Sequence, residues 1–279
     1  MTATGFPYID MEIEQMLAGG APPEHLRHFH WGLYDDTADA DDRIERYLDA
    51  ARCMTEHILA AGGVGDHGRV LDVGCGFGGT LDLIRARHQG CRLVGLNIDE
   101  RQLRWGRVML TAPAGGDSPI SFLAGDGCRL PVADRSVDRV LAVECVFHFP
   151  SRKAFFREAA RVLEPGGTLA LSDFVVASGS MAAVGADVTA LGLGDWFGRS
   201  AAPSTPEGYA RLARATGLEP LVDDDVTART LPTYAALHRL YREQGFDDGV
   251  RTIDAIERLA MAGGWRYHVM AFRRRGGGT

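Results

Sequence analysis

The chain has 279 residues, 46% apolar and 24% charged, which excludes wholesale disorder and suits one large domain or a core with a smaller cap. Acidic residues outnumber basic ones by 37 to 30, for a net charge of −7, and a nucleic-acid surface is disfavoured. The one dense basic run, Arg273 to Arg275 before three glycines, reads as a frayed tail. No apolar stretch approaches the roughly 18 residues of a membrane helix, and Asp10, Glu12 and Glu14 interrupt any leader-like segment. The cysteines (Cys53, Cys75, Cys91, Cys128, Cys145) are odd in number and lack CxxC spacing, so they are expected as reduced core residues of a cytoplasmic protein.

Residues 1–64 read as a mainly helical N-terminal cap with an aromatic, turn-like patch from Phe29 to Tyr34. A core over 65–173 then alternates strands and helices. Strands are predicted at 69–73, 92–96, 120–123, 138–143 and 168–171, with helices over 80–89 and 100–110 and a third capped by Ser151 and running to Val162. Residues 174–203, rich in Gly, Ala and Met, read as a lid or acceptor-pocket segment. The stretch 204–275 rejoins the core: a capping box at Ser204 to Glu207 opens a helix ending at Gly217, strands follow at 218–226 and 268–272, and two helical patterns lie between them. Residues 276–279 form a flexible tail. This alternation predicts an α/β fold with a mostly parallel sheet covered on both faces.

Chemistry concentrates after the first strand. In Val70 to Gly79 the string Gly74-x-Gly76-x-x-Gly79 lets backbone N–H groups approach a ligand at a helix N-terminus. Taken alone, it leaves NAD and other adenosine ligands open. Asp72 stands inside the strand, where a dinucleotide fold normally carries an apolar residue, and a carboxylate there suits a ligand with a cationic amino-acid end. Downstream come Gly125 and Asp126 after a strand, Asp138 to His148, and Leu163 to Leu169 with its Pro-Gly-Gly turn.

This ordered series resembles the class I S-adenosylmethionine-dependent methyltransferases, most of all the ubiquinone/menaquinone, tocopherol and natural-product sugar O-methyltransferase group, over about residues 30 to 175. The resemblance implies a Rossmann-like, seven-stranded, mostly parallel sheet with a helical cap, S-adenosylmethionine as cofactor, S-adenosylhomocysteine as product and no metal. It places Asp72, Gly74 and Gly76 at the methionine end, Asn97 at the ribose with Ile98 and Asp99 beside it, and Asp126 and Gly127 at the adenine. Asn97 departs from the usual acid, keeping donor and acceptor capacity but losing a carboxylate's stronger acceptance. Trp31 and Tyr34 match an aromatic segment that closes over the cofactor. Glu144 is placed both at the cofactor, helping to shape its site, and among the catalytic residues, as a carboxylate able to stabilise a cationic intermediate. His148 matches a catalytic base and Asp173 its orienting partner; Phe147 replaces the first of two adjacent histidines.

The implied activity is methyl transfer to a small natural-product acceptor, with oxygen the first choice and carbon or nitrogen the alternatives. An NAD-dependent oxidoreductase and a non-catalytic cofactor binder are the rivals. A nucleic-acid or membrane partner is not expected, and a homo-oligomer is left open. His25, His28 and His30 lack a metal-ligand pattern and read as turn or solvated residues, Asp223 to Asp225 as an exposed acidic run, and Met181, Trp196, Phe197 and Tyr209 as pocket or core residues.

Overall fold

Short apolar runs punctuated by glycine fold into seven strands of one sheet in the computed structural model, which describes residues 6–19, 24–35, 42–110, 118–177 and 204–276. The strands are β1 (Arg69–Val73), β2 (Arg92–Asn97), β3 (Ile120–Ala124), β4 (Val137–Val143), β5 (Leu163–Val176), β6 (Leu218–Asp225) and β7 (Trp265–Arg274). Their order is β3-β2-β1-β4-β5-β7-β6, parallel except for β7, which runs antiparallel between β5 and β6. The chain leaves β1 for β2 on one side and returns to β4 on the other. That reversal opens a crevice at the carboxyl ends of β1 and β4.

Helices α1 (Pro7–Gly19) and α2 (Ile44–Gly62) precede the sheet. The helices α3 (Gly79–Arg87), α4 (Glu100–Leu110), α5 (Arg152–Val162) and α6 (Pro206–Ala215) follow successive strands, and α7 (Thr227–Thr230), α8 (Pro232–Glu243) and α9 (Asp247–Met261) lie between β6 and β7. Period-two alternation sends neighbouring residues to opposite faces. Val70 and Ala170 pack with Met54 and Ile58 of α2 and Ile256 of α9, whereas Leu71 and Leu169 pack with Phe155 and Phe156 of α5 and Tyr209 of α6. Ser151 caps α5 by accepting from the Ala154 N–H, and Thr205 rather than Ser204 caps α6.

Two boundaries move. Strand β5 continues to Val176, with every residue from Gly167 onward buried, because β7 pairs with it as far as Val176↔Trp265. Asp173 therefore lies within the strand, and the lid expected from 174 begins no earlier than 178; its remainder, with Met181, Trp196 and Phe197, falls outside the described residues. The basic run is also not a tail: Arg273 and Arg274 pair in β7, and the Arg274 guanidinium donates to the carbonyls of Arg161 and Leu163. Each aspartate of the acidic run has a partner: His268 for Asp223, His57 for Asp224, Arg266 for Asp225. No helix among the described residues is long and apolar enough to cross a membrane.

Candidate active site

The loop after β1 owes its shape to its glycines. Gly74 takes φ +75°, and a Cβ there would stand 2.7 Å from the Cys145 side chain. At Gly79 a Cβ would fall 1.7 Å from the Arg27 carbonyl oxygen, so the 3-10 turn Glu24–His28 passes over the start of α3 only because that residue has no side chain. Above this loop lies an open cleft. Its core side carries Asp72, Gly74, Gly76, Asn97, Asp126, Gly127, Glu144 and His148; its other side is Phe6, Tyr8, Ile9, Leu26 and Phe29 from the N-terminal cap.

Asp72 is buried, and neither carboxylate oxygen has a hydrogen-bond partner among the described residues. Burial alone pushes its pKa up to about 7. Asn97 donates to Gln102 Oε1 at 2.8 Å and accepts from the Asp99 N–H at 3.3 Å. Asp99, which also lines the cleft, accepts from Arg101 at both oxygens, and the Arg101 guanidinium reaches Asp10 of α1 as well. Ile98 lines the cleft with its side chain 62% exposed. Asp126 Oδ1 accepts from the Cys128 N–H at 2.8 Å, closing an Asx turn rather than capping a helix. Gly127 lets the Phe149 ring approach to within 2.9 Å of where a Cβ would stand.

At the far end Glu144 follows β4 with φ +45°, a strained value for a residue with a side chain. Its N–H donates to the carbonyl and hydroxyl oxygens of Ser172, both at 3.1 Å. Its Oε2 accepts from the Trp31 N–H at 2.9 Å and the Tyr267 hydroxyl at 2.5 Å. Burial outweighs these two donors and lifts the Glu144 pKa to about 8. His148 closes the 3-10 turn Val146–His148, and its Nε2 lies 2.9 Å from the Tyr8 hydroxyl. The Phe6 ring meets the imidazole edge-on at 4.7 Å, and Tyr8 stacks on it at 5.8 Å.

The expected pairing of His148 with Asp173 is not formed. Asp173 is fully buried away from the cleft, where one oxygen takes the Tyr209 hydroxyl and Arg152 while the other has no partner. A residue inside β5 points into the packing beneath α5 and α6, which is why it misses the crevice. Trp31 and Tyr34 also do not line the cleft. Trp31 packs edge-on against Phe174 and Tyr234, and Tyr34 is buried, its N–H on the Arg229 carbonyl, so the patch acts as a strut between core and C-terminal helices. Tyr8, Phe6 and Phe29 take the place expected for them. The signal for Tyr8 was faint: aromatic residues either side of Pro7 at a helix start, beside the acidic residues that dominate α1.

A second cavity adjoins the cleft, sharing Tyr8, Phe29, His30 and Glu144 with it and adding Trp31, Tyr47, Phe147 and Tyr241. His30 donates from Nδ1 to the Trp31 carbonyl, so its Nε2 accepts from the Thr55 hydroxyl, which also meets His28. Burial lowers His28 to about 3 and His30 to about 4, leaving both neutral. His25 instead faces the buried Glu12 of α1 at 3.5 Å.

Comparison with known proteins agrees with this architecture. Residues 71–171 match the methyltransferase domain family. The chain is 35% identical to the methyltransferase GfsG of Streptomyces halstedii over 75% of its own length and 72% of that protein's. It is 35% identical to the 27-O-demethylrifamycin SV methyltransferase of Amycolatopsis mediterranei over 76% and 72% respectively. A structure titled as a putative sarcosine dimethylglycine methyltransferase from Galdieria sulphuraria superposes with a TM-score of 0.77 over 95% of this chain and 98% of that one, at 22% identity. The oxidoreductase alternative falls with these matches. The chain belongs to the class I S-adenosylmethionine-dependent methyltransferases.

Proposed function

We propose that the protein methylates a hydroxyl group of a small natural-product acceptor, with Tyr8 and His148 carrying away the hydroxyl proton. The observation that carries this reading is the Tyr8–His148 hydrogen bond at the end of a cleft whose opposite wall holds the orphaned Asp72. The relative named for an O-demethylated rifamycin supports oxygen as the acceptor atom.

The residues present fit S-adenosylmethionine. A buried carboxylate with no protein partner matches the ammonium of the methionine end, and an exposed isoleucine beside the cleft gives apolar surface for a purine. Asp72 would hold the ammonium, the Gly74 to Gly76 loop the methionine backbone, Asn97 the ribose, and Asp126 with Ile98 and Gly127 the adenine. When bound, the cofactor supplies a methyl group activated by a sulfonium.

A hydroxyl is a poor nucleophile until its proton can leave. Burial and the nearby Glu144 and Cys145 hold the Tyr8 hydroxyl protonated. With the methyl group delivered and the thioether product left neutral, the acceptor hydroxyl proton would pass to the Tyr8 oxygen while Tyr8 gave its own to His148 Nε2, so that the sulfonium's positive charge would end on the imidazolium. Phe6, Tyr8 and Phe29 also exclude water from this end of the cleft.

Carbon or nitrogen methylation is the second reading. It is favoured by the aromatic chamber, which among the described residues carries Glu144 and no lysine or arginine, a lining that suits developing positive charge. Transfer of labelled methyl from S-adenosylmethionine to hydroxylated natural products and their O-blocked counterparts tests the choice. Loss of labelling on blocking supports oxygen; undiminished labelling of the blocked compounds overturns it.

A further inference from the structure

The Glu144 carboxyl group stands where the cofactor cleft meets the aromatic chamber, and it lines both. Its two oxygens are in different situations. Oε2 accepts from the Trp31 N–H and the Tyr267 hydroxyl, whereas Oε1 has no hydrogen bond among the described residues and is not sealed from the cavity. Tyr267 belongs to β7, far along the chain from every motif of the glycine loop, and is buried.

Proton accounting gives this cluster a direction. Tyr267 has one hydroxyl proton, and the 2.5 Å contact assigns it to Glu144 Oε2. Ser172 Oγ lies 3.0 Å from the same tyrosine oxygen, so the serine proton goes to Tyr267, and a serine lone pair accepts the Glu144 N–H at 3.1 Å. Ser172 thus touches both ends of Glu144: its backbone directly and its carboxyl group through Tyr267. The strained φ of Glu144 is held by the same serine.

We propose that Tyr267 is a positioning residue for methyl transfer, which with Ser172 pins one oxygen of Glu144 and turns the other toward the acceptor at the junction of the two cavities. The role rests on the reading of the cleft as a methyltransferase site. It differs from that of Trp31, whose backbone N–H binds the same oxygen but survives any side-chain substitution.

The surroundings make the cluster measurable. From β5, the buried Asp173 raises Glu144 further; from α1, α2 and α8 the facing groups are Tyr8, Tyr47, Tyr234 and Tyr241, and beside it in the chain is Cys145, all held protonated by burial, as is Tyr267 itself. His30 is neutral, and no lysine or arginine among the described residues lines the chamber. Within this cluster of described residues the Glu144 carboxyl is the group that titrates near pH 8. A hydroxyl donor favours its charged form, so removing that donor moves its titration upward.

The test is carbon-13 NMR titration of protein labelled at the glutamate carboxyl carbons, with the Glu144 signal assigned by its loss in Glu144→Gln. In Tyr267→Phe, which keeps the ring, the midpoint should rise by about one to two pH units, the size expected for loss of a hydrogen bond to a charged group. In Ser172→Ala it should rise by less. Unchanged midpoints in both variants overturn the proposal, and the Ser172 variant decides alone if Tyr267→Phe does not fold. The titration needs no acceptor, so failure of the hydroxyl-methylation reading in the labelling experiment would leave its result intact and distinguishable.

Discussion

Tyr8 and His148, 140 positions apart in the chain, meet through a 2.9 Å hydrogen bond that joins the first helix to the carboxyl end of β4. The bond brings a cap residue to the end of the cleft where the family resemblance implies a base-and-carboxylate pair. Asp173, committed to Tyr209 and Arg152, is left as a buried packing anchor.

Removing either member should therefore lower turnover without emptying the site. Tyr8→Phe and His148→Ala are each expected to reduce kcat by about 10²–10⁴-fold, the usual range for a general base, while S-adenosylhomocysteine affinity changes little. The double variant should lose little more than the worse single one, because both act on one proton. Turnover against pH and titration calorimetry check this, and a Tyr8→Phe enzyme at wild-type rate would remove the relay.

The buried, unpartnered Asp72 carboxyl makes the protein less stable as pH rises. Its pKa stands at about 7 in the folded state against the usual 3.8. Between these values the unfolded chain loses its proton and the native one keeps it, so stability falls as pH rises and stays low above 7. Asp72→Asn should abolish that slope, which for a shift of this size is on the order of 4 kcal/mol, and raise the melting temperature at pH 8. The same variant should weaken S-adenosylmethionine binding by at least about tenfold through loss of a charge-assisted bond. Thermal melts from pH 4 to 8 with and without ligand would show both, and parallel melting profiles for the two proteins would refute the first.

Asp126 keeps one oxygen for its own turn and has the other to offer. If it accepts from the adenine amino group, Asp126→Ala should weaken product binding by roughly 1–3 kcal/mol. Unchanged calorimetric affinity would take it out of the site.

Helix α1 is tied down at both ends of the cleft, by Tyr8 on His148 and by Asp10 on Arg101, which also grips Asp99. Arg101→Gln should loosen it and speed S-adenosylhomocysteine dissociation several-fold, with kcat/KM affected less. Hydrogen exchange should slow over α1 and around Phe29 when the product is added, more than at Tyr34, which is buried outside the cleft. Equal slowing at Tyr34 would contradict the strut assigned to that patch.

The parallel core, the glycine loop and the order of the cofactor motifs were legible in the amino-acid sequence because each rests on a local pattern. Short apolar runs mark β1 and β4, and glycine positions report where backbone must turn left-handed or approach closely, as at Gly74 and Gly79. Asp72 was legible too, as a carboxylate within an apolar strand. Partnership between distant side chains has no such signature. That Tyr8 rather than Asp173 reaches His148, that Arg101 joins Asp99 to Asp10, and that Tyr267 holds Glu144 across 123 positions follow from how α1 lies over the cleft and how far β7 pairs with β5. Packing in three dimensions decides which side chains converge, and neither a helical period nor a motif spacing encodes that distance.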